Sequence, residues 1–172
     1  MDSHNCDLSW LPNLVRLEDW GGEWQPFLEH IYSLFRHDFI ETAPIWPRKR
    51  VGLKRHPISK GKEATFWHFI QEGAMEDERT PCLHRCARIQ WPRALIDVFP
   101  DRKPISSDPI KWWKNRRGSN AFFVISLVDF SYLHVIADRG EYVLPWTAYC
   151  VERNHQRRKL WKEYELYWDN KG

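Results

Sequence analysis

Residues 112–152 constrain the fold of this chain more than any other stretch. They hold three apolar or alternating runs, AFFVISLV, YLHVIADRG and EYVLPWTAYCVE, parted by short turns. Runs rich in Val, Ile, Phe and Tyr and bounded by Gly, Asn, Asp and Ser predict an antiparallel meander. That sheet is the platform on which the chemistry is to be sought.

Alternation along the last two strands divides their side chains between faces. Near residues 132–139, Tyr132, His134, Ile136 and Asp138 point one way, and Leu133, Val135, Ala137 and Arg139 the other. In the next strand Tyr142, Leu144, Trp146 and Ala148 oppose Val143, Pro145, Thr147 and Tyr149. Both faces are mostly apolar, so helices are expected to cover one face and part of the other. The polar exceptions are His134, Arg139, Thr147 and Tyr149.

A chain of 172 residues fits one decorated domain. Its 15% aromatic content excludes a disordered chain. Charge is mixed, with 26 Lys and Arg against 23 Asp and Glu, so any preference for nucleic acid must come from clustering rather than from the net +3. Cys6, Cys82, Cys86 and Cys150 lack the spacing of a disulfide framework. With no signal peptide and no apolar run of membrane-spanning length, a cytoplasmic protein with free thiols and no membrane partner is expected.

Residues 1–17 read as an arm. Trp24, Phe27, Leu28, Ile31, Leu34 and Phe35 then recur at helical spacing, predicting a helix that ends by Phe39 or Ile40, followed by a stiff connector at Pro44 and Pro47. From Arg48 the chain turns basic, with Arg48, Lys49, Arg50, Lys54, Arg55, His56, Lys60 and Lys62 ahead of the first acid at Glu63. Such a run is either a solvated face or a phosphate-tracking patch. Residues 61–73 predict a second helix closed by Gly73, placing His68 and Glu72 four apart on one face, an oriented base or a surface pair.

Residues 85–91 predict a strand with Ala87, Ile89 and Trp91 turned inward. Cys82, His84 and Cys86 would share one face of an extended chain, but at a spacing too tight for ordinary zinc loops, so no metal is expected. Arg85 and Arg88 read better as phosphate or carboxylate partners. Residues 95–99 form a short helix or prolong the strand. Residues 110–117 interleave Trp112 and Trp113 with Lys114, Arg116 and Arg117, either stacking on bases or filling the core while the cations snorkel. Residues 153–168 predict a closing helix with Leu160, Tyr164 and Tyr167 or Trp168 as its apolar stripe and Arg153, Arg157 and Arg158 in its basic first half.

The expected fold class is therefore α+β: N-terminal helices, a four-stranded, mainly antiparallel meander sheet, and a basic C-terminal helix. Residues 1–47 form an arm and helix packed on a single domain over 48–172.

In element order and residue type, residues 50–152 resemble the Barnase–EndoU–colicin–RelE group of small ribonucleases, including phage-associated and toxin members. The matching pieces are Arg55-His56-Pro57, the helical His68, the strand arginines Arg85 and Arg88, and Trp146-Thr147-Ala148-Tyr149. The first fifty residues and the basic closing helix are additions to that group's pattern. The resemblance implies an RNase-like core over 50–152, RNA as partner, an antitoxin or immunity protein as neutralising partner, and no cofactor.

Metal-independent cleavage by the 2′-hydroxyl needs a base, an acid and cations for the phosphoryl oxygens. His68 is the leading acid or base and His56 the competing one. Arg88 and Arg139 would clamp the scissile phosphate, and Thr147 and Tyr149 would donate to it or, for Tyr149, stack on a base. Arg55, Lys62, Arg85, Arg116, Arg117 and Arg157 are the expected substrate-binding cations. The competing expectations are a non-catalytic nucleic-acid-binding module and a protein adaptor.

Overall fold

The computed structural model describes residues 6–172. The arm contributes Leu11 to the main core and is tied down where the Val15 N–H donates to the Ala87 carbonyl at 3.0 Å; its residues 1–5 lie outside the described residues. Helix α1 (Trp24–Arg36) buries Phe27, Leu28, Ile31 and Phe35, the apolar stripe its spacing predicts. A π-helical turn, His37–Glu41, prolongs it and buries Phe39.

The proline connector seats Trp46 against Phe99 and Phe123, with ring centroids 4.2 and 4.9 Å apart. It leads into the two-residue strand β1 (Arg50–Val51). Helix α2 (Ala64–Ile70) is shorter than expected. It stops at Ile70 because the chain turns extended as β2 (Gln71–Glu72), which pairs antiparallel with β3 (Thr80–Pro81). Glu72 therefore does not share a helical face with His68, and Gly73 is not the helix terminator.

Residues 85–91 do not form the expected strand. They belong to α3 (Leu83–Ala87), a turn, and the start of α4 (Trp91–Asp97). Cys86, Ile89 and Ile96 are buried at three- and seven-residue separations that suit a helical path, and Pro92 sits in the first turn of α4, where its missing N–H costs nothing. The shared face imagined for Cys82, His84 and Cys86 disappears with the strand: Cys86 is buried and His84 exposed.

The meander has four strands, β4 (Ile110–Arg117), β5 (Asn120–Leu127), β6 (Tyr132–Asp138) and β7 (Tyr142–Cys150), and β1 joins its edge in parallel. The sheet order is β1-β7-β6-β5-β4. Consecutive residues of β4 point to opposite faces, so Trp112 enters the core shared with α1 to α4, while Trp113 enters a second core. That second core lies under α5 (Asn154–Asp169), which lays Leu160, Tyr164 and Tyr167 on it. The helix is fastened at both ends, by Arg157 Nε to the Val151 carbonyl and Trp168 Nε1 to the Trp112 carbonyl, each at 2.7 Å. The fold is α+β, and no helix among the described residues is long and apolar enough to cross a membrane.

One irregularity breaks the alternation expected of β7. Val135 pairs with Thr147 but Ile136 pairs with Pro145, so Trp146 is an extra residue, a β-bulge. Val143 and Ala148, five apart, consequently face the same core. The bulge pushes Trp146 and Thr147 out at the sheet edge.

Candidate active site

The outer edge of β7 is paired only at its start. β1 reaches Tyr142 and Val143, and the Gly52 N–H adds a bond to the Val143 carbonyl at 2.8 Å. A Cβ on Gly52 would lie 2.9 Å from Leu144 Cδ2, so a side chain here would require the Leu144 side chain to shift. Beyond the bulge the edge is left to α2 and α3. There a cavity of about 310 Å³ opens, walled by Lys54, His68, Arg85, Trp146, Thr147 and Tyr149, with Glu72, Glu76 and Arg79 on the loop side.

Each polar wall residue is positioned by a local contact. Lys54 is held by Thr65 of α2, whose N–H donates to the Lys54 carbonyl at 3.0 Å. Its ammonium lies 5.0 Å from the centre of the Trp146 indole, against which the His68 ring also rests at 5.8 Å in an edge-to-face contact. Arg85 rises from α3 and donates through Nη1 to the carbonyls of Gln71 and His68 at the end of α2. Its guanidinium lies over the Tyr149 ring at 5.6 Å. Thr147 donates to the same His68 carbonyl at 3.3 Å.

The electrostatics follow from this packing. Burial lowers the His68 pKa below its ordinary value, and Lys54 and Arg79 push it the same way against Glu76 and the Trp146 backbone. The imidazole is thus neutral at pH 7 and able to accept a proton. Burial raises the Tyr149 phenol, with Arg117 and Arg85 opposing, so it stays protonated and able to donate.

Of the residues singled out in the sequence, His68, Arg85, Thr147 and Tyr149 meet in this cavity. Arg139 is exposed, bound to Asn120 Oδ1 at 3.0 Å, and reaches the cavity only through the indole of Trp146, 5.7 Å away. Arg88 is drawn to the His84 carbonyl and the Trp91 ring instead. His56 is exposed in a cis His56–Pro57 turn, and Arg55 beside it pairs with Glu63 at 3.5 Å. Lys62 is buried, with its ammonium 2.6 Å from Glu29 and over the Tyr32 ring. Arg116 and Arg117 stand exposed at the end of β4, and Arg157 is engaged with Val151.

Lys54, Arg79 and Glu76 were not singled out in the sequence as site residues, and Glu72 was expected only as a helical partner of His68. Lys54 is one of many cations in its run, and nothing in that run marks it as the one Thr65 fastens beside the bulge. Among the described residues, no three His, Cys, Asp or Glu side chains converge as a metal-holding group. No family model, curated protein or solved structure matches the chain.

Proposed function

We propose that the protein is a metal-independent endoribonuclease whose active site is the cavity around His68. The observation that supports this most is the convergence of a neutral imidazole with Lys54, Arg79 and Arg85 beside a protonated phenol. His68 takes the proton of the 2′-hydroxyl, the 2′-oxygen attacks the adjacent phosphorus, and the bond to the 5′-oxygen breaks. Tyr149 gives its proton to that leaving oxygen. The products are a 2′,3′-cyclic phosphate and a 5′-hydroxyl end. Lys54, Arg79 and Arg85 offset the charge that builds on the phosphoryl oxygens. The base, the acid and the countercharges all come from side chains, so the step draws on no cofactor.

As in the ribonuclease group that the sequence resembles, the partner is RNA within the cytoplasm. For a toxin-like or phage-associated member, an antitoxin or immunity protein would neutralise it. The test is incubation of the protein with total RNA in EDTA beside His68→Ala. Discrete products with 2′,3′-cyclic phosphate ends, absent with the variant, are expected. Intact RNA held in a salt-sensitive complex would favour a non-catalytic binding module instead.

A further inference from the structure

A second groove, of about 330 Å³, lies on the other side of the sheet, between β5, β6 and β7 and the first half of α5. Val124, Leu133 and Val135 form its floor and Leu160 its apolar wall. Arg117 and Lys159 bring positive charge to it, Glu163 brings one negative charge, and Asn115 and Gln156 bring amides. Trp146, Thr147 and Tyr149 line this groove and the His68 cavity alike. The two spaces therefore adjoin around the unpaired edge of β7, where the bulge sets those side chains.

The chemistry of the groove fits one unstacked nucleobase. Apolar side chains accept the ring faces, Trp146 and Tyr149 border the groove with aromatic surface, and the amides can donate to and accept from a base edge. Cations at the groove suit the phosphates that flank the base.

We propose that this groove is a nucleobase subsite. Single-stranded RNA with its scissile phosphate at His68 rounds the edge of β7 and seats a neighbouring base between the sheet and α5. The position of the scissile phosphate rests on the ribonuclease reading; the groove's preference for a base does not.

The test uses a dye-labelled, uncleavable 2′-fluoro tetranucleotide and a series in which each position in turn is abasic, with binding read by fluorescence anisotropy. Val135→Trp on the groove floor and Gln156→Trp on the exposed helix fill the groove from two sides, and circular dichroism melting confirms that each variant is folded. For the unaltered protein, one abasic position should weaken binding by about 5- to 150-fold, the range for loss of one stacked base. That dependence should vanish in the folded, groove-filled variants. The proposal is overturned if every abasic oligonucleotide binds like its parent, or if the loss persists in both variants. A free mononucleotide binding as tightly as the tetranucleotide would also overturn it and make the groove a nucleotide site. Cleavage of unmodified RNA, measured separately, tells the two readings apart. Cleavage without base dependence removes the groove and keeps the His68 site, and base dependence without cleavage does the reverse.

Discussion

The hydroxyl of Thr147 donates to the backbone carbonyl of His68 at 3.3 Å, joining the bulge of β7 to the last turn of α2. That carbonyl belongs to a helix end with no further turn to satisfy it, so Thr147 and Arg85 act as its caps. Thr147→Val keeps the shape and removes the donor. Stability should fall by about 1 kcal/mol, seen as a lower urea midpoint. If the contact positions the imidazole, cleavage should fall further than stability accounts for, in kcat rather than in KM.

For the proposed reaction, the lowered pKa of His68 should set the shape of the pH profile. A base must be unprotonated to act, and burial with Lys54 and Arg79 nearby favours that form. The acidic limb of kcat/KM should therefore have its midpoint below 6.5, the ordinary histidine value. Burial raises Tyr149, so the alkaline limb should fall above 10. Removing the positive charge of Lys54 with Lys54→Met should move the acidic midpoint upward. A midpoint that stays in place would separate Lys54 from His68.

Arg85 holds two carbonyls at the end of α2 and covers the Tyr149 ring. Lysine keeps the charge but is shorter and lacks the planar guanidinium that lies over the Tyr149 ring while Nη1 reaches both carbonyls. Arg85→Lys should cost about 1.5–3 kcal/mol of stability, the range for a hydrogen bond to a charged group. Thermal melting measures this directly. Cleavage should also fall, because Tyr149 loses the partner that orients it.

Much of the scaffold was legible because burial enforces period. The β5 to β7 runs, the α1 stripe and the α5 stripe each match the spacing of their element, and Trp112 and Trp113 serve opposite cores as a strand requires. Residues 85–91 misled because Ala87, Ile89 and Trp91 alternate by coincidence, while the buried Cys86, Ile89 and Ile96 follow a helical path. The bulge left no trace in the sequence, since residues 142–150 alternate plausibly in either register. The sequence drew attention to His68 because it lies on a predicted helix ahead of the sheet, and it could not draw attention to Lys54 in the same way, because that lysine is one of many cations in its run. Of the cations in the basic run, tertiary contacts alone separate Lys54 from Lys62.

That separation has its own consequence. Lys62 spends its charge on Glu29 and the Tyr32 ring, away from the cavity, whereas Lys54 faces it. Lys62→Met should leave cleavage unchanged, and Lys54→Met should lower kcat by about 100-fold, as for loss of one group that stabilises transition-state charge. Steady-state kinetics on one RNA substrate compares them. Equal losses would mean that the basic run acts as a diffuse patch.

His134 gives the fold an acid-sensitive point away from the site. Its ring is fully buried on the helical side of the sheet, with Nδ1 bonded to the Pro92 carbonyl at 3.1 Å, Nε2 unpartnered and the Phe69 ring 5.5 Å away. Burial pushes its pKa down to about 3. Between that value and 6.5 the unfolded chain binds a proton at this residue that the folded chain does not, so stability falls as pH falls through this window. The slope from this residue approaches about 1.4 kcal/mol per pH unit. His134→Leu leaves the Pro92 carbonyl unpaired and should cost about 1–3 kcal/mol at pH 7. Denaturant titrations at pH 7, 6, 5 and 4 should nonetheless give a shallower decline for the variant, smaller by nearly one proton. Parallel declines in the two proteins would mean that His134 is protonated in the folded state and contributes nothing to acid unfolding.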